Sequence, residues 1–323
     1  MNQALLPLVP LYRAAVGLKN TSYDRGWLAG ERLQRPVVSI GNLSVGGGGK
    51  TPLVIHLAQL LSAHGLSVDV LSRGYGRNST AVACVDPAGS AEEFGDEPLL
   101  IARKAGVPVY VGASRYAAGL LAESESSPPG VHLLDDGFQH RKLARDADIV
   151  VVHKSDFQQH LLPAGRLREP LASLNRASAI VLREEDAGLA EELHKLGVRA
   201  PVWIQQRRRL VVETRGAAVA FCGIARPEEF YTALKTSGID VVGTRSFRDH
   251  HRYMDADVEA LLSLCQSSGA KAFITTEKDA VRLSSQQRAR LASVMHLEAA
   301  RLEVSFLDEA AVVKQLLALL VRK

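Results

Sequence analysis

Residues 36–52 read PVVSIGNLSVGGGGKTP, and this stretch decides the fold. The β-branched run at 37–40 predicts a strand, four consecutive glycines follow it, and the apolar-periodic segment that begins beside Lys50 and Thr51 predicts a helix. Glycines leave backbone N–H groups free to turn toward an anion, and the N-terminus of a helix presents its positive dipole end to the same anion. A strand, a glycine-rich loop and a helix in this order therefore predict a loop that binds the phosphates of a nucleotide.

The side chains of this loop suit phosphate binding, although the loop departs from the general pattern G-x-x-x-x-G-K-[ST]. In that pattern Lys50 would reach the β- and γ-phosphates, and the Thr51 hydroxyl would bind Mg²⁺. Ser44 stands where the first glycine of the pattern is expected. A flexible glycine turn beside a lysine is the alternative, but the strand before the loop and the helix after it favour a nucleotide site. The predicted nucleotide-binding residues are Ser44, Val45, Gly46, Gly47, Gly48, Gly49, Lys50 and Thr51.

Strands and helices alternate along the rest of the chain, which is typical of an α/β fold with a mostly parallel sheet covered on both faces. Together with the glycine loop, this pattern predicts a P-loop NTPase-like sheet domain and a second, smaller α/β domain. The expected boundaries are an N-terminal helical segment at 1–35, the core domain at 36–200, linker strands at 201–216 and a C-terminal domain at 217–323. Apolar runs predict strands at 67–71, 81–85, 107–111, 131–134, 149–152, 179–182, 217–221 and 272–275, and a closing helix at 310–321.

Composition narrows the class of protein. The 39 basic and 35 acidic side chains give a net charge of only +4, so we expect no nucleic-acid partner. A hydrophobic content of 46% predicts a sizeable core. The cysteines are few and widely spaced, which excludes a cysteine metal site and suggests a reducing compartment.

The N-terminal segment 4–18 reads ALLPLVPLYRAAVGL and is strongly apolar, with basic residues following it. A secretory signal would carry its charge before the apolar run, so that interpretation is not favoured. Two interpretations remain open from the residues alone. The segment either lies in a membrane interface, where its cations meet anionic headgroups, or packs as a helix on the domain surface.

Two pairs of carboxylates are candidates for catalysis. Asp135 and Asp136 end an apolar strand, where ligands of a parallel sheet gather, so one should hold Mg²⁺ and the second should bind metal or orient the acceptor. A plain turn is the less favoured alternative. Asp96 and Glu97 follow a glycine at a predicted helix start, where a carboxylate either caps the helix or acts as a general base; the local sequence does not separate these roles.

Further ionisable groups occur in two loops. Residues 247–253 read FRDHHRY, and His250 or His251 would serve as an acid–base or orienting histidine when the two domains close. Arg168, in the segment LLPAGRLREP at 161–170, could neutralise charge on a transferring phosphoryl group. Lys278 and Asp279 follow a predicted strand and are candidates for substrate or interdomain contact.

These motifs, in this order, closely resemble the tetraacyldisaccharide 4'-kinase family of the lipid A pathway in Gram-negative bacteria. The stretches that carry the resemblance are VSIGNLSVGGGGKTP, LSRGYGR, FGDEP, LLDDGFQHRKLARDADIVVV, LLPAGRLREPL, FCGIARPEEF, FRDHHRY and TTEKDAVRL, which together span nearly the whole chain. The resemblance implies an enzyme that uses ATP and Mg²⁺ to phosphorylate the 4'-hydroxyl of an acylated glucosamine disaccharide 1-phosphate, forming lipid IVA. Ser44 agrees with this family's own version of the loop.

The resemblance also implies locations and roles. Two α/β domains would be joined by a two-stranded linker near 201–216, and the N-terminal helix would bind the cytoplasmic face of the bacterial inner membrane, making the protein peripheral. Asp96 would be the catalytic base, paired with His250 or His251, and Asp135 and Asp136 would lie near Mg²⁺ and substrate. Acyl-chain preference and oligomeric state do not follow from it.

Two rival functions were weighed. Dimeric partitioning or metal-insertion ATPases and GTPases use a loop like GKGGxGKT, whose early lysine reaches the partner subunit; Val45 occupies that position here. A nucleotide-binding membrane module without chemistry would have no use for Asp96 together with the adjacent histidines. Both rivals are therefore less favoured than a kinase.

Overall fold

The computed structural model describes residues 3–46, 49–125 and 130–320. Its strands form one mixed sheet in the order β10-β9-β11-β12-β8-β7-β6-β1-β5-β2-β4-β3, and most neighbours are parallel. The predicted α/β fold with a mostly parallel sheet is confirmed. The strands are β1 Val37–Asn42, β2 Ser67–Ser72, β3 Ala83–Cys84, β4 Val109–Val111, β5 Gly130–Asp135, β6 Ala147–Val152, β7 Ala179–Arg183, β8 Val202–Val211, β9 Ala217–Cys222, β10 Asp240–Ser246, β11 Ala272–Thr276 and β12 His296–Phe306.

Helices cover the sheet and connect its parallel strands. They are α1 Val9–Asp24, α2 Lys50–Ala63, α3 Ala91–Phe94, α4 Asp96–Ala105, α5 Arg115–Glu125, α6 Leu189–Lys195, α7 Pro227–Thr236, α8 Asp255–Ser268, α9 Glu277–Ala280, α10 Ser285–Val294 and α11 Glu309–Leu320. None of the helices in the described ranges combines the length and the apolar character needed to cross a membrane.

Strand β1 lies between β5 and β6, which are both parallel to it, and every one of its residues is buried. Parallel pairing brings the carboxyl ends of these strands to one edge of the sheet. The loop after β1 leads directly into α2, whose Leu53, Leu57 and Leu61 are fully buried on the sheet at helical spacing. This geometry places the glycine loop at the edge where the polar strand ends of β5 and β2 also arrive.

The two long strands β8 and β12 join the two halves of the sheet. They pair antiparallel, whereas β7 on one side and β11 on the other pair with them in parallel. Strand β12 was not predicted, because its sequence HLEAARLEVSF is rich in good helix formers; its position between β8 and β11 overrides that local preference.

The closing helix α11 packs against the first half of the chain, although it comes at the end of the second half. Its Val312 and Leu316 belong to the same buried cluster as Leu53 and Ile40 of the first half, and Trp203 Nε1 donates a hydrogen bond to Gln315 Oε1 at 2.8 Å. The division into domains at 36–200 and 217–323 stays a prediction.

Candidate active site

Polar side chains gather where β1, β2 and β5 end. Asn42 ends β1, Ser72 ends β2 and Asp135 ends β5, and all three are buried. Asp136 follows directly, with its side chain 39% exposed. The edge of the sheet therefore carries one buried and one accessible carboxylate beside the glycine loop.

The first part of the glycine loop is extended, and this explains why position 44 needs no glycine. Ser44 forms an antiparallel bridge with Leu167, and the Val45 N–H donates to the Arg166 carbonyl at 2.8 Å. Positive φ angles begin at Gly46 (99°) and recur at Gly49 (73°), which is the N-cap of α2. A side chain is strained only at such angles, so glycine is needed there and not at position 44. Gly47 and Gly48 lie outside the described residues.

Lys50 starts α2 and reaches back over the strand ends. Its Nζ donates to Asn42 Oδ1 at 3.0 Å and lies 3.4 Å from Asp136 Oδ1. Thr51 lies in the same first helical turn and is half-buried. These positions put a cation and a hydroxyl at the N-terminus of α2, where phosphate binding requires them.

Arg168 binds the accessible carboxylate, that of Asp136, through both terminal nitrogens of its guanidinium. Nη1 donates to Asp136 Oδ2 at 2.9 Å and Nη2 donates to Asp136 Oδ1 at 2.8 Å, and Nη2 also donates to Asn42 Oδ1. Burial alone would raise the pKa of Asp136, but Arg168 and Lys50 outweigh it and hold that pKa well below its ordinary value. Asp136 is therefore ionised and fixed in orientation.

Asp135 is in the opposite electrostatic situation. Its Oδ2 accepts a hydrogen bond from Ser72 Oγ at 3.1 Å, whereas its buried Oδ1 has no hydrogen-bond partner. Burial, with the nearby charges of Glu97 and Asp136, raises the pKa of Asp135 well above its ordinary value. A buried carboxylate oxygen without a partner is costly, and a cation at this point would offset that cost.

The donor set at this edge suits Mg²⁺. Carboxylate and hydroxyl oxygens are the ligands that Mg²⁺ takes in proteins, together with substrate phosphates and water, and the orphaned oxygen of Asp135 lies near Lys50 and Asp136. Within residues 3–46, 49–125 and 130–320, no three His, Cys, Asp or Glu side chains form a group that could hold a metal alone. Phosphate oxygens would have to complete the coordination shell.

A second polar cluster forms around Asp96, the first residue of α4. His250 Nδ1 donates to Asp96 Oδ2 at 3.0 Å, and Arg282 donates to the same oxygen from Nε at 2.8 Å and from Nη2 at 2.5 Å. Asp96 Oδ1 accepts a hydrogen bond from the Glu97 N–H at 2.9 Å. One oxygen of Asp96 therefore bonds a free N–H group at the start of α4, while the other binds the histidine. Asp96 comes from the first half of the chain, whereas His250 and Arg282 come from the second.

The structure distinguishes the two adjacent histidines. His250 contacts Asp96, and His251 Nε2 lies 2.8 Å from Asp257 Oδ2 while its ring stacks on Phe247. His250 has a φ of 59°, which a histidine rarely adopts and which turns its ring toward the first half of the chain. Of the two, His250 is the one placed to pair with Asp96.

Lys278 contacts both halves of the chain within the Asp96 cluster. Its Nζ donates to Glu97 Oε1 at 2.8 Å and lies 3.4 Å from His250 Nε2. A carboxylate only accepts, so the 3.0 Å contact with Asp96 makes Nδ1 of His250 the donor, and Nε2 faces the Lys278 ammonium. Lys278 thus links Glu97 of the first half of the chain to His250 of the second; the interdomain role that the sequence suggested for it stays a prediction.

Sequence reasoning found most of these residues but missed three. The missed residues are Asn42, Ser72 and Arg282. Asn42 and Ser72 could have been found, because they are polar residues at the carboxyl ends of apolar strands. Arg282 lies within the stretch TTEKDAVRL and was assigned no role. Only the tertiary contact with Asp96 reveals it.

Cations surround the approach to this site. Arg115, at the start of α5, is 8% exposed, and it lies close enough to Arg73, Asp135 and Asp136 for their charges to shift its pKa. Burial, with the charges of Arg115, Arg145, Lys19 and Lys142, lowers the pKa of His140 to about 4. This positive region is suited to an anionic group of a bound molecule.

Helix α1 packs beside the site with one face and exposes the other. Tyr12 Oη donates to the Arg168 carbonyl at 3.0 Å, and Asn20 Nδ2 donates to Glu169 Oε2 at 2.7 Å. Leu8, Leu11 and Leu18 are 48%, 71% and 65% exposed. Both interpretations of this segment therefore have support: the helix packs on the protein, and its outer face is apolar.

The whole chain was compared with families of known proteins. The family model for tetraacyldisaccharide-1-P 4'-kinase matches residues 1–321. A tetraacyldisaccharide 4'-kinase from Koribacter versatilis is 45% identical over 98% of this chain and 99% of that protein. One from Geobacter metallireducens is 40% identical over 94% of each chain.

The fold is similar to that of a solved structure. The crystal structure of the "apo" form of LpxK from Aquifex aeolicus, in complex with ATP, matches with a TM-score of 0.79 and 35% identity, covering 98% of both chains.

Proposed function

This chain belongs to the tetraacyldisaccharide-1-P 4'-kinase family, and on that premise we propose that its two polar clusters carry out the two halves of one phosphotransfer. The enzyme is an ATP-dependent kinase that phosphorylates the 4'-hydroxyl of tetraacyldisaccharide 1-phosphate to form lipid IVA in lipid A biosynthesis. The observation that carries the proposal is that His250 and Arg282 of the second half of the chain bind Asp96, whose neighbour Glu97 lies close enough to Asp135 at the strand ends to raise the pKa of that carboxyl.

The first cluster binds and orients ATP. Lys50 Nζ and the N-terminus of α2 would meet the phosphates, and Arg168 keeps Asp136 beside Lys50. Asp135, Asp136 and Thr51 would hold Mg²⁺, which when bound neutralises charge on the phosphate oxygens.

The second cluster prepares the acceptor. The sugar oxygen attacks the γ-phosphorus in line, the bond to the β-phosphate oxygen breaks to release ADP, and the hydroxyl proton passes to the Asp96 carboxylate. His250 and Arg282 orient that carboxylate, and Lys278 orients His250. Asp96 is ionised at neutral pH, so it is ready to accept the proton.

The rest of the substrate fits the surroundings of the site. The 1-phosphate of the disaccharide carries negative charge, and the region around Arg115, Lys19 and Lys142 is positive. The acyl chains need an apolar environment, which the outer face of α1 and the adjoining membrane surface would share. We place the protein at the cytoplasmic face of the inner membrane as a peripheral enzyme.

The test is to incubate the purified protein with ATP, Mg²⁺ and disaccharide 1-phosphate in detergent micelles and to identify the product by mass and by the position of the new phosphate. One added phosphate at the 4'-oxygen is expected. ATP hydrolysis without a phosphorylated lipid would contradict the proposal and favour an ATPase.

A further inference from the structure

A buried arginine lies directly behind the proposed base. The side chain of Arg282 is 5% exposed and contacts both halves of the chain at once. Nε and Nη2 donate to Asp96 in the first half, and Nη1 donates to the Gly223 carbonyl at 2.7 Å and to Asp279 Oδ1 at 2.9 Å in the second half. One edge of the planar guanidinium therefore binds the first half of the chain, and the remaining nitrogen binds the second half.

Asp279 fixes Arg282 in turn. It is fully buried, and its Oδ1 also accepts hydrogen bonds from the Gly223 N–H at 2.9 Å and from Tyr253 Oη at 3.0 Å. Thr276 Oγ1 donates to its Oδ2 at 2.6 Å. Since Asp279 has no freedom to move, the guanidinium that it binds has a fixed position, and so has the carboxylate beyond.

We propose that Arg282 is a positioning residue of the phosphotransfer: it orients the Asp96 carboxylate, keeps it deprotonated, and thereby makes a competent base depend on the contact between the two halves of the chain. The inference rests on the proposed function, in which Asp96 accepts the proton. It assigns a role to a residue outside the glycine loop, the paired aspartates and the histidine.

A role in stability alone explains the geometry less well. The free energy that a buried ion pair gains by attraction hardly exceeds the cost of removing both charges from water. Well-packed hydrophobic side chains would therefore stabilise this junction just as much. Arginine differs from lysine in offering several donors in a rigid plane. Here that plane presents two donors to a single oxygen of Asp96, which sets the direction of the carboxylate.

The charges that face Asp96 support the same role. Burial alone would raise the pKa of Asp96, but His250, Lys278 and Arg282 together hold it well below its ordinary value. The other charged groups nearby are Glu97 on its own helix and Asp279 behind Arg282. Asp96 works as a base only when ionised, so activity is lost as the pH falls through its pKa, and removing a cation moves that loss to higher pH.

The experiment compares Arg282→Met and Arg282→Lys with the wild-type protein and with Arg290→Met as a matched control. Arg290 lies on α10 with its side chain 52% exposed and pairs with Glu259 at the surface. Rates of 4'-phosphorylation are measured from about pH 9 down to about pH 3, so that the window includes the ordinary pKa of an aspartate, and the dissociation constant of ATP is measured separately. Wild type and Arg290→Met are expected to behave alike.

For Arg282→Met we expect kcat to fall about 100-fold, the size of effect that a misplaced catalytic group gives. The acidic limb of the pH profile should move to higher pH, while ATP binding stays unchanged because the hydrogen bonds of Arg282 go to Asp96, Gly223 and Asp279, away from the described residues of the glycine loop. Arg282→Lys keeps the positive charge but loses the planar arrangement of donors, so kcat should fall about 10-fold or more. Because the charge is kept, the acidic limb of the pH profile should stay in place.

Each other outcome counts against the inference. Wild-type kcat in Arg282→Lys, or an unmoved acidic limb in Arg282→Met, would overturn it, and the lysine variant decides alone if the methionine variant does not fold. Loss of ATP binding in parallel with kcat would indicate a structural role only and would also overturn it. If wild type itself gives no 4'-phosphorylated product, the proposed function fails, which is a separate result.

Discussion

At the scale of single residues, the site contains the unusual backbone angles. Among the residues that the structure describes, Asp136 (φ 50°) and His250 (φ 59°) are the non-glycine residues with positive φ. Such angles cost free energy and persist where the surroundings enforce them, which is common at catalytic sites. In this protein each polar cluster contains one residue with a positive φ. Asp136 is bound by Arg168 in the first cluster, and His250 is bound by Asp96 in the second.

Substitution of each adjacent histidine by asparagine separates their roles. His250→Asn should lower kcat about 100-fold or more, because a partner of the base is lost, and it should not unfold the protein, because asparagine tolerates positive φ. His251→Asn should leave kcat nearly unchanged but cost about 1 kcal/mol of stability, since the ring stacks on Phe247. Kinetics at saturating ATP and urea unfolding provide the two measurements.

The reverse pattern, with kcat lost in His251→Asn and kept in His250→Asn, would contradict the assignment. The sequence could not make this choice, since FRDHHRY offers both histidines equally. The φ of His250 and the position of Asp257 decide it, and neither is visible in a local motif.

At the scale of elements, helix α1 separates two surfaces. Val9, Tyr12, Val16, Asn20 and Tyr23 are half-buried on its inner side, whereas the leucines at 8, 11 and 18 lie exposed at helical spacing. Arg13 and Arg25 supply positive charge near the exposed side. This arrangement supports the proposal that the helix lies between the site and a lipid surface.

Leu11→Glu and Leu18→Glu together should weaken binding to vesicles that contain anionic lipid, because each change removes apolar area and adds repulsion. Leu120→Glu is the matched control, since Leu120 is also exposed (46%) but belongs to α5. Co-sedimentation with vesicles measures binding, and ATP affinity should stay constant in all variants. Equal binding by the double variant and wild type would rule out α1 as the membrane contact.

Helix α11 shows where sequence order and packing diverge. The sequence predicted the helix itself, but its position at the end of the chain gives no sign that Leu316 packs into the core of the first half. Leu316→Ala should cost about 2–5 kcal/mol by creating a cavity, whereas Leu307→Ala, at a 63% exposed position, should cost less than about 0.5 kcal/mol. Urea unfolding of both variants measures the difference, and similar losses would mean that α11 contributes little to the core.

At the scale of the whole molecule, one sheet carries both halves of the site. The parallel strands around β1 position the glycine loop and the aspartates, and the β8–β12 pair connects them to the half that supplies His250 and Arg282. Under the proposed function, the contact between the two halves would bring the base to the nucleotide and help to exclude water from the phosphoryl group.

The sequence predicted the elements whose signals are local. The apolar runs located the strands around the loop, and the glycines with Lys50 located the phosphate site. It missed β12, whose residues favour a helix, and Arg282, whose role depends on a contact 186 residues away in the chain. Long-range contacts of this kind leave no periodic pattern, so only the three-dimensional structure supplies them.

The most direct test of the central claim is the activity of Asp96→Asn measured beside its ATP binding. We expect the variant to bind ATP with wild-type affinity, since the side chain of Asp96 bonds to Glu97, His250 and Arg282 and not to the described residues of the glycine loop, and to form 4'-phosphorylated product at least about 100-fold more slowly. A variant that binds ATP normally and phosphorylates the disaccharide at the wild-type rate would contradict the account.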